Sequence, residues 1–418
     1  MATELSPRMS RRSRPGGRIL FLLGPAFVAA VAYVDPGNVA ANVTAGSRYG
    51  YLLVWVLVAA DAAAVLVQYQ SAKLGLVTGL SLPELLGRRL RPSTRRAFWV
   101  QAELVAAATD VAEVVGGAIA LNLLFRLPLV LGGLIVGAVS MLVLAVQSRR
   151  GQRPFETVIL ALLAVIAVGF LAGLVVAPVN WADAGGGLLP GFDGTGSVLL
   201  AASMLGATVM PHAVYLHSAL ARDRHGHQRS PRLVDRLLVA TRWDVLGALA
   251  IAGAVNIAML LLAAASLRGV AGTDSIAGAH HAITVGLGPA VGTVFAVGLL
   301  ASGLASTAVG SYAGATIMAG LLHVQVPLPV RRAVTLVPAL VILGLGVDPT
   351  WALVLSQVFL SLGLPFALVP LMRFTGDRAL MGAYADRPLL RVIGWGVVTL
   401  IVALNVTLIL LLAVGAPG

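Results

Sequence analysis

Eleven apolar stretches, at about 19–47, 51–75, 98–125, 129–148, 155–178, 196–220, 243–267, 284–322, 330–347, 350–372 and 391–415, can each cross the roughly 30 Å hydrocarbon core of a bilayer. Lipid offers the backbone no hydrogen-bond partners, so a chain of this pattern is confined to spanning helices that satisfy themselves. Of its 418 residues 58% are hydrophobic and only 11% charged, which leaves no sizeable soluble domain. The expected fold class is an all-α polytopic membrane protein. There is no cysteine, so disulfides and thiolate metal sites are excluded, and a soft ligand has to be a methionine thioether.

A net charge of +12 raises the question of nucleic acid, and position answers it. Of the 29 basic residues, 26 fall at Arg8–Arg18, Lys73–Arg96, Arg149–Arg153, Arg222–Arg242, Arg331–Arg332 and Arg373–Arg391, all alternate loops. That is the positive-inside pattern, with lipid rather than nucleic acid as the surrounding partner. Only Arg48, Arg126 and Arg268 lie on the other side, where the loop Val179 to Thr195 carries Asp183 and Asp193. The expected orientation is an N-terminus in the cytoplasm and, after eleven spans, a C-terminus outside the cell membrane. Residues 1–18 read as a disordered basic cytoplasmic tail near anionic lipid, not as a secretory leader, because ten further spans follow the first.

Two spans are broken by a proline beside polar or soft side chains. These are Asp35-Pro36-Gly37-Asn38 in the first and Met210-Pro211-His212 in the sixth. A proline inside a helix lacks the N–H that would bond the carbonyl four residues back, so Pro36 frees the oxygen of Ala32 and Pro211 that of Ala207. Such backbone survives at membrane depth only where protein buries it or a cavity is lined by it. A cation would satisfy both oxygens. Breaks at spans 1 and 6 also suggest two five-span repeats in opposite orientations, over 19–178 and 196–373, with 391–415 as an accessory eleventh span.

Asp35 is an ionisable group inside an apolar span, where charge is costly and its usual meaning functional. Together Asp35, Asn38, the carbonyls of Ala32 and Ala207, and Met210 form a candidate ligand set of mixed hardness, with Gln357 of span 10 as a further oxygen donor. Thioether sulfur suits Mn²⁺, Fe²⁺ and softer ions and is a poor partner for Mg²⁺ or Ca²⁺, so Met210 reads as a filter. His212 is a candidate proton carrier, since imidazole titrates near neutrality. His217, five residues on, does not share its helical face and reads as packed or hydrogen-bonded. Glu103, Asp110 and Glu113 fall within an arc of about 80° on one helix. They face the protein interior, as a proton path or as an ion-pair network with Arg331 and Arg332. Asn256 and Asp61 read as bridges between helices.

These residues resemble the Nramp family of proton-coupled divalent metal transporters nearly end to end. The resemblance rests on Asp35-Pro36-Gly37-Asn38, Ser71-Ala72-Lys73-Leu74-Gly75, Met210-Pro211-His212 with Tyr215-Leu216-His217-Ser218, and Ser306-Thr307 with Tyr312-Ala313-Gly314. It implies a LeuT-like fold of two inverted five-helix repeats plus an eleventh helix, with Mn²⁺ and Fe²⁺ as substrates and protons as the driving ion. It implies metal binding by Asp35, Asn38, Met210 and the Ala32 and Ala207 carbonyls, with Gln357 joining in some conformations. It also implies a proton route through Asp110, Glu113, Arg331 and Arg332, with His212 in coupling. Ala213 and Ala315 stand where many members carry Asn and Gln. The expected activity is transport without a cofactor, by a monomer. No nucleophile, phosphate loop or metallohydrolase motif points to an enzyme. A LeuT-type carrier of amino acids or other organic solutes is the alternative, opposed by a resident Asp35 carboxylate where such a solute would place its own.

Overall fold

A computed structural model describes residues 24–150, 152–226, 230–273, 275–324 and 326–414. The basic stretch 1–18, the start of the 19–47 span and the tail Gly415 to Gly418 lie outside them.

The first span is α1 (Pro25–Val31), a single 3-10 turn (Ala32–Val34) and α2 (Pro36–Tyr49). Then follow α3 (Val54–Thr78), a short α4 (Leu82–Arg89), α5 (Pro92–Phe125), α6 (Leu129–Arg150), α7 (Gln152–Val176) and α8 (Trp181–Gly186). The sixth span is α9 (Gly194–Thr208) with α10 (Pro211–His225), followed by α11 (Pro231–Ser266), α12 (Ile276–Leu287) and α13 (Pro289–Leu322). The chain closes with α14 (Leu328–Gly344), α15 (Pro349–Thr375), α16 (Arg378–Met381) and α17 (Pro388–Ala413). Pro25, Pro36, Pro92, Pro211, Pro231, Pro289, Pro349 and Pro388 each open a helix, where the missing N–H breaks no intrahelical bond.

Among the described residues eight helical stretches are long and apolar enough to cross a membrane. The other three expected spans are the broken first, α6 and the 17-residue α14. The protein is thus a multi-pass membrane protein, and its flanks agree, since Leu142, Val168, Val334 and Leu400 are among many large apolar side chains left exposed. One boundary differs from the sequence expectation. The apolar run 284–322 is two helices, because Gly288 takes a φ of 100° and Pro289 starts a new helix, which leaves α12 as a separate segment.

The helices sort into two groups. In one, α5 runs along α13, with α6 and α14 against them; Gly117 and Gly303 let α5 and α13 meet backbone to backbone, a methyl on Gly303 lying 3.0 Å from the Gly117 Cα. In the other, α2 lies along α11 and α3 along α10. The Ser71–Gly75 motif pins the second group together. Ser71 Oγ donates to Val214 O at 2.6 Å, and the Lys73 ammonium forms a buried ion pair with Asp386 of the segment before α17. Polar side chains are thereby kept between helices, where they find partners that lipid does not supply.

Candidate functional site

The two breaks meet. Asp35 leaves helical geometry (φ −71°, ψ 167°) and caps α2, its Oδ1 accepting Asn38 N at 2.8 Å and Asn38 Nδ2 at 2.8 Å. In the sixth span the backbone unwinds at Val209 (φ −107°, ψ 76°) and Met210 (φ −75°, ψ 125°) before Pro211 opens α10. Asn38 Nδ2 also donates to Ala207 O at 2.9 Å, so one side chain joins both breaks. The freed carbonyl of Ala207 therefore takes one side-chain donor from the first break, which leaves its second lone pair open. The first break is held open from outside: Asn256 Nδ2 donates to Tyr33 O at 2.8 Å and Ser302 Oγ to Val34 O at 2.5 Å. Ala32 ends α1 immediately before these carbonyls.

Asp35, Asn38, Ala207, Met210 and Gln357 have no solvent exposure. Gln357 Nε2 lies 3.4 Å from Asp35 Oδ2, and a methyl on Gly37 would overlap the Gln357 amide, so only glycine admits this contact. Three buried oxygens here, Asn38 Oδ1, Gln357 Oε1 and Thr208 Oγ1, have no hydrogen-bond partner. Oxygens of this kind buried without a donor are costly, and they sit beside a carboxylate, a thioether and the carbonyl-bearing ends of α1 and α9. Helix C-termini carry partial negative charge. Groups of this kind can ligate a cation. Among the described residues no three His, Cys, Asp or Glu side chains gather as a metal cluster, so the donor set is one carboxylate with amide, carbonyl and sulfur groups. Thr208 closes α9 immediately before the unwound stretch, and a lone threonine at a helix end gives no signal in sequence.

The other expected residues surround this point. His212, on the first turn of α10, has Nδ1 3.4 Å from Thr109 Oγ1 and a buried Nε2 without a partner. His217 Nδ1 lies 2.7 Å from Gln68 Oε1, and Gln68 Nε2 donates in turn to the Tyr33 hydroxyl. Arg331 of α14 forms a two-pronged pair with Glu103 of α5 at 3.0 and 2.8 Å, and Arg332 of α14 pairs with Asp110 of α5 at 3.0 Å. Arg332 Nε also donates to Ser140 Oγ at 3.2 Å. Glu113 is fully buried, and neither of its oxygens has a hydrogen-bond partner. The acidic row thus runs from buried Glu113 through Asp110 to Glu103, whose side chain is 26% exposed.

Asp61 lies against Gly253 of α11, and Asn42 Nδ2 donates to Asn256 Oδ1 at 3.1 Å, so both α11 contacts bridge helices. A clasp not apparent in the sequence holds α1: Asp244 accepts from Gly24 N and Ala26 N, both at 3.0 Å, beside an Arg224–Glu156 pair at 2.8 Å. At the end opposite the basic loops, a cleft of about 280 Å³ is lined by Thr44, Arg48, Asp348, Thr350 and Val354. Thr350, Val354 and Gln357 follow one another on one face of α15, so the helix face that lines the cleft is the one that carries Gln357.

Residues 26–411 match the family model described as natural resistance-associated macrophage protein-like. The chain belongs to the Nramp family. It is 60% identical over 395 residues to the "Divalent metal cation transporter MntH" of Mycobacterium tuberculosis strain H37Rv, covering 94% of this chain and 92% of that one. Its structure is similar to that of the Eremococcus coleocola manganese transporter in complex with an aromatic bis-isothiourea compound, with a TM-score of 0.85, 31% identity, and 95% of this chain and 87% of that chain covered. A likeness of fold alone extends to MhsT in complex with L-phenylalanine, at a TM-score of 0.57 and 15% identity, over 96% of this chain and 100% of that one. Nramp relatives are named as transporters, not enzymes. The architecture is LeuT-like, two inverted five-helix repeats plus an eleventh helix with spans 1 and 6 broken.

Proposed function

We propose that this Nramp protein is a proton-coupled secondary transporter that imports divalent transition metal ions, Mn²⁺ and Fe²⁺, by alternating access around the two breaks. The observation that carries this reading is the Asn38 amide joined to both Asp35 and Ala207, with Met210 buried alongside. The names of the relatives, a divalent metal cation transporter and a manganese transporter, support it.

Asp35, Asn38, Met210, Gln357 and the carbonyls of Ala32 and Ala207 hold the metal ion. The carboxylate supplies charge, the amide and carbonyl oxygens turn toward the ion, and the thioether selects against hard alkaline-earth cations. Asn38 Oδ1 and Gln357 Oε1 gain through the metal the partner they lack within the protein. Asp35 binds either a metal ion or a proton, so an arriving dication displaces a proton from it. His212 and the row Glu113, Asp110, Glu103, with Arg332 and Arg331 as paired bases, carry that proton toward the cytoplasm. The increasing exposure from Glu113 to Glu103 supports this direction.

The repeats span 19–178 and 196–373, with 391–415 accessory, and the chain works as a monomer with its N-terminus in the cytoplasm and its C-terminus outside. The group holding α1, α2, α9 and α10 rocks against the scaffold of α5, α6, α13 and α14. The Asp244 clasp on α1 is then the contact released when the site opens to the cytoplasm.

Uptake into proteoliposomes loaded with a proton-sensing dye tests the reading. Wild-type protein is expected to carry Mn²⁺ with internal acidification, and Asp110→Ala to retain Mn²⁺ uptake while losing the accompanying acidification. Unchanged acidification in Asp110→Ala removes it from the proton route, and no Mn²⁺ flux in the wild type refutes the function.

A further inference from the structure

Between α5 and α15 lies a lateral groove of about 440 Å³, lined by none of the proposed metal ligands, whose walls include Val100, Leu104, Phe359 and Phe366. All four side chains are exposed, so the groove opens sideways where hydrocarbon would lie. Phe98 and Phe366 stack edge to face with centroids 5.9 Å apart, which sets the two antiparallel helices in register. Beyond one end of the groove stand two arginines that do not themselves line it. Arg96 stands on α5 one turn before Val100, and Arg373 on α15 two turns after Phe366, on the same helical face. Both are exposed, and neither has an ionic or hydrogen-bonding partner among the described residues. In the groove wall the buried Oε1 of Gln101 also lacks a partner.

We propose that this groove is the binding site of one anionic phospholipid from the leaflet on the arginine side. Its acyl chain lies along Val100, Leu104, Phe359 and Phe366, and its phosphate bridges Arg96 and Arg373. Apolar walls open to the bilayer, with two unpaired guanidiniums one to two turns beyond them, fit a lipid and not a soluble anion, which would leave the walls bare. The location gives the lipid a consequence for transport. The groove floor is Gly363, where an added methyl would lie 3.6 Å from the Pro211 ring, and Phe366 O accepts the Tyr215 hydroxyl at 3.2 Å. An occupant therefore presses on α15 where that helix supports the start of α10, next to Met210.

Native mass spectrometry of the full-length protein, titrated with phosphatidylglycerol or phosphatidylcholine of matched chains, tests the site. The wild type is expected to retain one phosphatidylglycerol in preference to phosphatidylcholine, and Arg96→Gln/Arg373→Gln to bind it about 10-fold more weakly. Val100→Trp, which fills the groove without altering charge, is expected to abolish the bound lipid. Equal retention of the two lipids by the wild type overturns the proposal whether or not the variants fold. Equal phosphatidylglycerol binding by the wild type and a double variant of unchanged melting temperature overturns it as well.

Discussion

Asp35→Asn is expected to lower Mn²⁺ uptake by at least about 100-fold, because loss of a mere supporting group around a metal already costs 10–100-fold and Asp35 supplies the only carboxylate assigned to the ion. Asparagine keeps the shape and an oxygen that can cap α2 through Asn38 N, so the break and the fold are expected to survive. The loss is therefore one of charge at the point where a dication has to shed its water. Uptake in proteoliposomes, with thermal unfolding as a control on folding, measures it. Uptake within about 10-fold of the wild type would show that the metal is held elsewhere.

Removing the sulfur at Met210 is expected to change selectivity more than capacity. In Met210→Ala the affinity for Mn²⁺ falls by about 10-fold, while Ca²⁺ and Mg²⁺, which a thioether ligates poorly, become better competitors and better cargo. Met210 is fully buried, so truncation to alanine also leaves a cavity, at a cost of roughly 2–5 kcal/mol in stability. Met210→Leu separates the two effects, since it keeps most of the volume and removes the sulfur. Both variants are expected to admit Ca²⁺ in uptake assays, and only the alanine variant to melt markedly earlier. If Met210→Leu discriminates against Ca²⁺ as the wild type does, the thioether is a packing group and not a filter.

Much of this architecture is legible in the amino-acid sequence, for reasons particular to membranes. Lipid forces each apolar run to become a helix, and it makes a proline beside Asp35 or Met210 conspicuous, because the freed carbonyl has to be dealt with. The local geometry follows directly: both prolines open half-helices, and Asp35 caps the second half of its span. What the sequence hides depends on partners distant along the chain. Pro211 marks Ala207 as freed, but only tertiary packing brings the Asn38 amide to it across 169 positions. The clamp of Asn256 and Ser302 on the first break, and the Asp244 carboxylate on α1, are likewise contacts between single polar residues with no periodicity to announce them. Helical spacing alone places the acidic row of α5 on one face. Spacing does not say that Arg331 and Arg332 take Glu103 and Asp110 and leave Glu113 without a bond. The separation of α12 from α13 is concealed because apolar residues continue on both sides of Gly288-Pro289, so hydropathy masks a turn that this pair dictates.

The central claim, that one metal ion sits between the two breaks, is tested most directly by anomalous diffraction from crystals grown with Mn²⁺, collected on both sides of the manganese absorption edge. A single strong peak is expected within bonding distance of an Asp35 carboxylate oxygen, Asn38 Oδ1, the Ala207 carbonyl and the Met210 sulfur, and it should vanish in Asp35→Asn. A manganese peak elsewhere, with none between the breaks, would contradict the account.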